Sequence, residues 1–462
     1  MSARIDSLRA AALEGGLARW LPAQRWFDGT GRALSSVSVL RTHVFAEAAG
    51  RLGALAVVQA RDVLGADAGR YVLALGVHDR DTGPPGTPIA AVDDAAVHDA
   101  LEDPVLVDLL VRQIARHRAV DGAHFVAETP GLTLPARPLT VRPLGAEQSN
   151  SSVVLDEEYI LKVFRRLTPG ASPDLVLHRL LRDAGSSHVP ELLGAIEEEE
   201  TGATLATLQR FLPAAEDGWA AALRSVRTAL DAGARGPVAA GDFTASARAL
   251  GRALADMHTT LATGHEPAPL RGRDCRRLSE LFTRRLVQAL DAAPQLAPYA
   301  GRLHSAFAGV TSLAGAQRPA QLTHGDLHLG QTLQTAQGWL LLDFEGEPLA
   351  GREERARLHS PMRDVAGMLR SFDYAAHHEL TDRAVAPAVQ SRAERWVREA
   401  QDAFLSGYAT SAGPYTDGEL RLLRAYELDK AVYEVLYDTQ HRPSWAWIPL
   451  QALGRGLRSA AA

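Results

Sequence analysis

The stretch Gln321-Leu-Thr-His-Gly-Asp-Leu-His-Leu-Gly-Gln331, followed after ten residues by Leu342-Asp-Phe-Glu-Gly-Glu347, decides how the chain reads. Asp326 is followed five residues later by an amide, Gln331, and then by the carboxylates Asp343 and Glu345. Moving a phosphoryl group from a nucleotide to an alcohol needs a carboxylate that orients the hydroxyl. It also needs an amide or carboxylate about a turn later, and a further carboxylate to hold Mg²⁺ on the phosphates. The three groups occur here in that order. The pattern therefore predicts ATP and Mg²⁺ chemistry, with Asp326 as base, Gln331 and Asp343 as metal ligands, and Glu345 as either a ligand or a support. An isolated Asp in such a loop could equally cap a helix; the combination favours the catalytic reading. Trp339-Leu-Leu-Leu reads as a short buried strand that delivers Asp343.

Upstream, Val153-Val-Leu-Asp-Glu-Glu-Tyr-Ile-Leu-Lys-Val-Phe164 has the pattern of a hairpin, an apolar run on each side of an acidic turn. Lys162 falls in its second strand. A buried lysine needs a counter-charge, which nucleotide phosphates and a helix carboxylate supply; at a strand edge it would instead face solvent. Glu147-Gln-Ser-Asn-Ser-Ser152 precedes the hairpin. Its small polar residues could present amides and hydroxyls to phosphates, or form an ordinary polar turn. Ser149, Ser151 and Ser152 are candidate nucleotide contacts on the first reading. Ala206 to Pro213 reads as a strand entering a hinge, and Gln209 and Phe211 are candidate nucleotide contacts there.

The first ninety residues combine a helix over about 4–20 with strand-like runs at 36–40, 54–60 and 71–77, and Asp79 to Pro88 reads as a turn. Helical spacing appears over 94–118 and 173–184, then dominates from Trp219: 219–231, 243–262, 276–290, 297–313, 363–378, 388–409 and 417–438. This order predicts an α+β, bilobal protein-kinase-like fold with an N-terminal β-rich cap and a mostly helical C-lobe. The expected parts are a cap over 1–90, an N-lobe with the strand lysine over 91–212, and a C-lobe over 213–462. Ser360 and Pro361 read as the cap and first residue of the 363–378 helix. Arg363 and Asp364 there are expected to tie that helix to the catalytic loop.

Composition narrows the class. The chain has 462 residues, 46% hydrophobic and 23% charged, with a net charge of −6. That balance fits a soluble globular protein and gives no reason to expect a nucleic-acid or membrane surface. The single cysteine, Cys275, permits no internal disulfide. The start lacks the apolar core of a signal peptide, and no run of about 18 apolar residues exists. A cytoplasmic location is expected. The partner expected is a small-molecule sugar. The oligomeric state stays open, with a monomer plausible.

Near the C-terminus, Tyr426-Glu-Leu-Asp-Lys-Ala-Val-Tyr-Glu434 and Arg442-Pro-Ser-Trp-Ala-Trp447 are rich in polar and aromatic groups. Glu427, Lys430 and Glu434 share one helix face. Read alone, this is a salt-bridged surface helix with a tryptophan anchor. Glu347 reads as structural.

Taken together, these motifs resemble the maltokinase-like family of actinobacterial sugar kinases, relatives of the aminoglycoside phosphotransferases. The likeness is carried by Trp20–Phe27, Ala146–Val153, Leu161–Gly170, His324–Gln331, Asp343–Pro348, Arg363–Tyr374 and Ala425–Glu434. It implies a kinase-like fold behind an N-terminal cap. It also implies ATP and Mg²⁺, with the sugar against the C-terminal lobe. Asp326, His328, Glu427, Lys430, Tyr433, Glu434 and Trp445 become candidates for the acceptor side. Most such proteins phosphorylate maltose at its anomeric hydroxyl; a side branch phosphorylates glucosamine at O6.

Three departures bear on that choice. The cap motif reads Trp26-Phe-Asp-Gly-Thr30, with Asp28 gained and a cation lost. The helix after Lys162 reads Pro173-Asp-Leu-Val176 where Pro-Asp-x-Glu is usual, so Asp174 or another group must pair with the lysine. Leu436 to Trp447 loses an arginine and gains a tryptophan. More acid and less base suits an ammonium-bearing sugar, so glucosamine is favoured over maltose. A reading from another class is a catalytically idle nucleotide-binding pseudokinase, which only Val176 supports.

Overall fold

Alternating apolar and polar residues near the N-terminus become long antiparallel strands. A computed structural model describes the chain apart from residues 1–10, 28–32, 49, 80–86, 93–94, 146–148, 232–240, 317, 348–350, 356, 382–385 and 460–462. Asp28, Glu147, Gln148 and most of the turn expected over 79–88 therefore lie outside the described residues. The chain divides into two units, Met1–Arg179 with Pro190–Pro213, and Leu180–Val189 with Ala214–Ala462.

In the first unit, helix α1 (Ala11–Trp20) is followed by β1 (Leu34–Ala48), β2 (Arg51–Asp62), β3 (Asp67–Asp79), β4 (Ala90–Val92) and β5 (Ala95–Asp99). The strands form an antiparallel sheet in the order β1-β2-β3-β5-β4. Leu13 and Leu17 of α1, with Trp26 and Phe27, are buried in one core with Leu52, Ala56 and Val58 of β2 and Leu73 and Leu75 of β3. Next comes α2 (Pro104–Ala115), where a single helix over 94–118 was expected. The early part of that span is strand because Ala95–Asp99 completes the pairing of β3. The helix starts only where Asp103 accepts from the Val105 and Leu106 amides at 2.8 and 3.4 Å and Pro104 supplies its first residue.

A second sheet follows, with β6 (Arg118–Val120), β7 (Ala123–Ala127), β8 (Val141–Leu144), β9 (Asn150–Leu155), β10 (Tyr159–Phe164), helix α3 (Pro173–Asp183), β11 (Leu192–Glu198) and β12 (Thr204–Arg210). Its order is β6-β7-β11-β12-β10-β9-β8. The β9–β10 hairpin forms where the sequence placed it, and its turn residues Asp156 and Glu157 both take φ 52°. Acidic residues tolerate that left-handed turn better than β-branched ones. The two sheets share a core. Phe45, Leu55 and Val57 pack in one cluster with Leu106, Leu110 and Ile114 of α2 and with Val153, Leu161 and Leu208. Main-chain pairing joins them too, since Val72 N donates to Arg165 O at 2.7 Å and Leu167 N to Arg70 O at 2.9 Å.

The second unit is mostly helical. It comprises β13 (Glu216–Asp217), α4 (Gly218–Asp231), α5 (Gly241–Gly264), α6 (Gly272–Ala292), α7 (Ala300–Gly309), β14 (Thr332–Thr335), β15 (Gly338–Leu341), α8 (Arg352–Arg355), α9 (Met362–His378), α10 (Pro387–Ala412), α11 (Asp417–His441) and α12 (Trp447–Ser459). The predicted 297–313 helix is three pieces, because Pro294 and Pro298 hold the first part in a 3-10 turn. Helix α9 begins at Met362, one residue before the expected 363, with Pro361 as its cap and not its first residue; Ser360 Oγ accepts from Met362 N at 3.3 Å. No helix among the described residues is long and apolar enough to cross a membrane.

Candidate active site

The loop between α7 and β14 is fastened to α9. Asp364, 1% exposed, accepts from the His324 amide at 2.7 Å and the Gly325 amide at 2.8 Å. His258 Nε2 reaches the same carboxylate at 3.0 Å, and its other ring nitrogen lies 3.0 Å from the Tyr408 hydroxyl. Burial alone would raise the Asp364 pKa, but His258, His324 and the Gly325 amide outweigh it and hold it below the ordinary value. Backbone sterics complete the fit. A Cβ at Gly367 of α9 would meet Leu327 O at 2.5 Å. Gly325, at φ 86°, lies so near Gly346 that a Cβ would be 3.3 Å from its Cα.

The Asp343 turn is joined to this loop. His324 Nε2 sits 2.7 Å from Leu342 O, and the His324 and Phe344 rings lie 4.9 Å apart. Leu342 N donates to Gln331 O at 2.9 Å, and Gln331 Nε2 donates to Asp343 Oδ2 at 2.9 Å. Asp343 takes φ 62°, a conformation non-glycine residues rarely adopt. The structure thus brings Gln331 and Asp343 together, with Glu345 half-buried in the same turn. Among the described residues no group of three or more His, Cys, Asp or Glu side chains could hold a metal. That donor set fits Mg²⁺, which usually takes one or two carboxylates and completes its shell with water and substrate phosphates.

A cavity of about 390 Å³ opens beside Asp326, walled by α6, the loop holding Gly325–Leu327, α9 and α11. Asp326 Oδ1 receives Lys430 Nζ at 2.9 Å, and the same ammonium reaches Glu347 Oε1 at 3.0 Å. Glu347 also lies 3.2 Å from Arg285 and 3.7 Å from Arg363. Burial opposes its ionisation, but Lys430, Arg285 and Arg363 together keep its pKa well below the carboxylate range. Burial likewise opposes the charge on Lys430, yet Asp326 and Glu347 hold its pKa above the ordinary lysine value. Asp429 pairs with Arg285, and burial lifts its carboxyl to about 6. Asp326, Glu347, Glu354 and Asp429 put four carboxylates on the wall. Tyr433 adds an aromatic face 4.9 Å from the Lys430 ammonium.

Of the residues expected on the acceptor side, Asp326, Lys430 and Tyr433 line this cavity. His328 is half-buried nearby, its pKa lowered by burial against the pull of Asp326. Glu427 and Glu434 are not on its wall: they pair with Arg424 at 3.6 Å and Arg370 at 2.7 Å. Trp445 packs against His378 and Arg442, with ring and guanidinium at 4.6 and 4.5 Å. Arg285, Glu354, Tyr426 and Asp429 also line the cavity without being singled out by the sequence, and Arg363, expected to tie its helix to the loop, lines it as well. The Asp429-Lys430 pair was a usable signal; Arg285 sits in an ordinary helical run and carried none.

In the first unit, Lys162 Nζ lies 3.9 Å from Asp174 Oδ2. Asp174 is 1% exposed, whereas Val176, two residues on, is 36% exposed. His178 Nε2 approaches Asp174 Oδ1 at 3.8 Å and Gln209 Nε2 at 3.2 Å. Lys162 pairs across the hairpin with Ser152, and Val163 with Ser151. Directly opposed residues share a face and neighbours alternate, so Ser152 shares the Lys162 face and Ser151 lies on the other. Ser149 is exposed, its hydroxyl accepting from Asn150 at 3.2 Å, and Phe211 N donates to Glu158 O at 2.8 Å.

The Glu347 cluster gives a prediction with a definite sign. Its folded pKa is depressed from 4.5, so its stabilisation is present above that pH and is lost as pH falls toward the folded value. Glu347→Gln is expected to lower the melting temperature at pH 7 by about 4 °C or more. The gap to the parent protein should shrink below pH 4.5. A gap that is constant from pH 7 to pH 3 in thermal melts would contradict this.

Residues 140–423 match the phosphotransferase enzyme family, and residues 20–103 match the maltokinase N-terminal cap domain. A glucosamine kinase of Streptacidiphilus jiangxiensis is 30% identical over 356 residues, covering 74% of this chain and 78% of that protein. A glucosamine kinase of Mycolicibacterium smegmatis is 28% identical over 328 residues, covering 68% and 78%. Among solved structures, a glucosamine kinase in complex with glucosamine, ADP and inorganic phosphate superposes with a TM-score of 0.70 at 25% identity, over 96% of this chain and 98% of that one.

Proposed function

The chain belongs to the phosphotransferase enzyme family, and from that premise we propose that it phosphorylates glucosamine at O6, using ATP with Mg²⁺. The observation that carries this reading is the Asp326 carboxylate on the wall of a sugar-sized cavity, held by Lys430 at 2.9 Å and flanked by further carboxylates. The wall also carries Arg284, Arg285, Arg363 and Lys430, so its charges balance, and the choice of an ammonium-bearing sugar rests on the relatives. Both relatives and the superposed structure are glucosamine kinases.

In the reaction, Asp326 Oδ1 stays on Lys430 while its other oxygen accepts the hydrogen bond of the acceptor hydroxyl and turns it toward the γ-phosphorus. The hydroxyl oxygen bonds to phosphorus as the bond to the ADP oxygen breaks, and the hydroxyl proton passes to Asp326. Phosphoryl transfer is loose enough that this orientation matters more than early proton removal. Lys162, steadied by Asp174, serves the nucleotide phosphates. Asp343 and Gln331 would hold the Mg²⁺, whose charge offsets that gathering on the phosphate oxygens.

The pseudokinase reading loses its one support, because Asp174 reaches Lys162 where Val176 cannot. Asp174→Asn is expected to raise the KM for ATP several-fold, since it removes the carboxylate charge 3.9 Å from the Lys162 ammonium. Steady-state kinetics with ATP varied would show it, and an unchanged KM would remove Asp174 from this role. The cap-domain match supports a second reading, maltose phosphorylated at its anomeric hydroxyl. An ADP-release assay over glucosamine, maltose and glucose, with phosphorus NMR of the product, separates the two. Glucosamine-dependent turnover giving a 6-phosphate is expected; a maltose 1-phosphate, or no sugar dependence, would overturn the proposal.

A further inference from the structure

A second cavity, of about 190 Å³, lies beside the acceptor cavity and shares Leu278, His359 and Tyr426 with it. Pockets for drug-sized ligands start at about 300 Å³, so this one suits a small ion or group. The start of α6 supplies Arg271, Arg273 and Arg277 to its wall, and the segment before α9 supplies Arg357. Two carboxylates oppose them. Asp274 accepts from Arg271 N at 2.9 Å and lies 3.7 Å from Arg273 Nε. Glu354 pairs with Arg277 and lies 3.6 Å from Arg357 and 3.4 Å from His359. Burial and the Arg363 charge push the His359 ring down to about 4, so it is uncharged at pH 7. Among the described residues, four guanidiniums against two carboxylates leave a surplus of two positive charges. The N-terminal end of α6 adds its own positive field.

Tyr426 is an independent sign of a ligand. It is 6% exposed, and its hydroxyl has no hydrogen-bond partner among the described residues. Burial raises its pKa, so the hydroxyl keeps its proton and is a donor. A buried donor left unpaired is costly, and an acceptor brought by a ligand removes that cost. Guanidiniums likewise only donate. A ligand that only accepts and carries two negative charges answers all of these groups, and a phosphate does both.

We propose that this cavity is a second phosphate site, taking inorganic phosphate or the phosphate group of a small monoester. None of the residues assigned to the nucleotide or the metal lines it, and the inference does not depend on which sugar the chain phosphorylates.

Titration calorimetry of the full chain tests it, with inorganic phosphate and then glycerol 3-phosphate as titrants. Mg²⁺ and a non-hydrolysable ATP analogue are present to fill the nucleotide site. One site per chain is expected, and the tighter titrant tells a free from an esterified phosphate. Arg273 and Arg357 are exposed and do not line the acceptor cavity. Arg273→Gln and Arg357→Gln are each expected to weaken phosphate binding about five-fold, with glucosamine turnover unchanged. Tyr426→Phe removes one hydroxyl and no charge, and should weaken binding about three-fold or more. Three results overturn the proposal: neither titrant binds, the ATP analogue displaces the phosphate, or binding falls with salt yet ignores Tyr426→Phe, as on a diffuse cationic surface. A chain that binds no ATP analogue overturns the kinase reading, while the same variants still decide this site.

Discussion

Asp326→Asn is expected to lower kcat by about 10²–10⁴-fold, the usual contribution of a positioned acid–base group. Asparagine keeps the size and one acceptor oxygen but cannot take the hydroxyl proton. It also gives Lys430, 2.9 Å away, a neutral partner. The ammonium keeps its second contact, Glu347 at 3.0 Å, so the cavity wall should stay in place. ATP affinity should therefore hold while turnover falls, the signature of an interaction made mainly in the transition state. Single-turnover measurement of ADP formation at saturating ATP and glucosamine checks this. A variant keeping more than a tenth of the parent rate would remove Asp326 from the chemistry.

Asp364→Ala is expected to be nearly as damaging by a different route. Its carboxylate accepts two backbone amides of the catalytic loop and one histidine. Truncation leaves those donors buried and unsatisfied, at about 1–3 kcal/mol each. The melting temperature should fall by about 10 °C or more, and kcat should drop even in the folded fraction because Asp326 is two residues from the His324 amide. Asp364→Asn retains one carbonyl acceptor and should fall between the parent and alanine. The depressed pKa of Asp364 adds a pH signature. Its stabilisation is present above the ordinary aspartate value of 3.8 and is lost as pH falls, so parent and alanine variant should converge in acid. Melting curves that show alanine as stable as the parent would contradict the anchoring role.

Much of the kinase-like organisation was legible from local pattern. The His324–Gln331 and Asp343 spacing, the lysine on the second strand of a hairpin, and the succession of helices after residue 218 follow from residue order and periodicity. Asp174 could be named as a stand-in for the absent glutamate from its motif alone; only the placement of α3 brought it within 3.9 Å of Lys162. Strands β7 and β11 were not anticipated, nor was α12. Both strands lie inside the second sheet, β7 between β6 and β11 and β11 between β7 and β12, and draw their pairing from those neighbours, a tertiary effect that overrides weak local preference. The split of 94–118 into strand and helix was decided by an available edge on β3.

The site shows where sequence stops. A helix face can be counted from residue numbers, and the count put Glu427, Lys430 and Glu434 together. Packing then drew a boundary through that face: Lys430 joined Asp326 and Glu347, while Glu434 went to Arg370 on α9. Which carboxylate meets which cation depends on contacts between elements far apart in the chain, such as Arg285 with Asp429 or Arg165 with Asp99. The chemical types and their order along the chain were fixed by the sequence alone. Their partners, their charge states and the cavity they enclose were settled by tertiary packing, because electrostatic interaction depends on separation in space and on burial, and neither is a property of residue order.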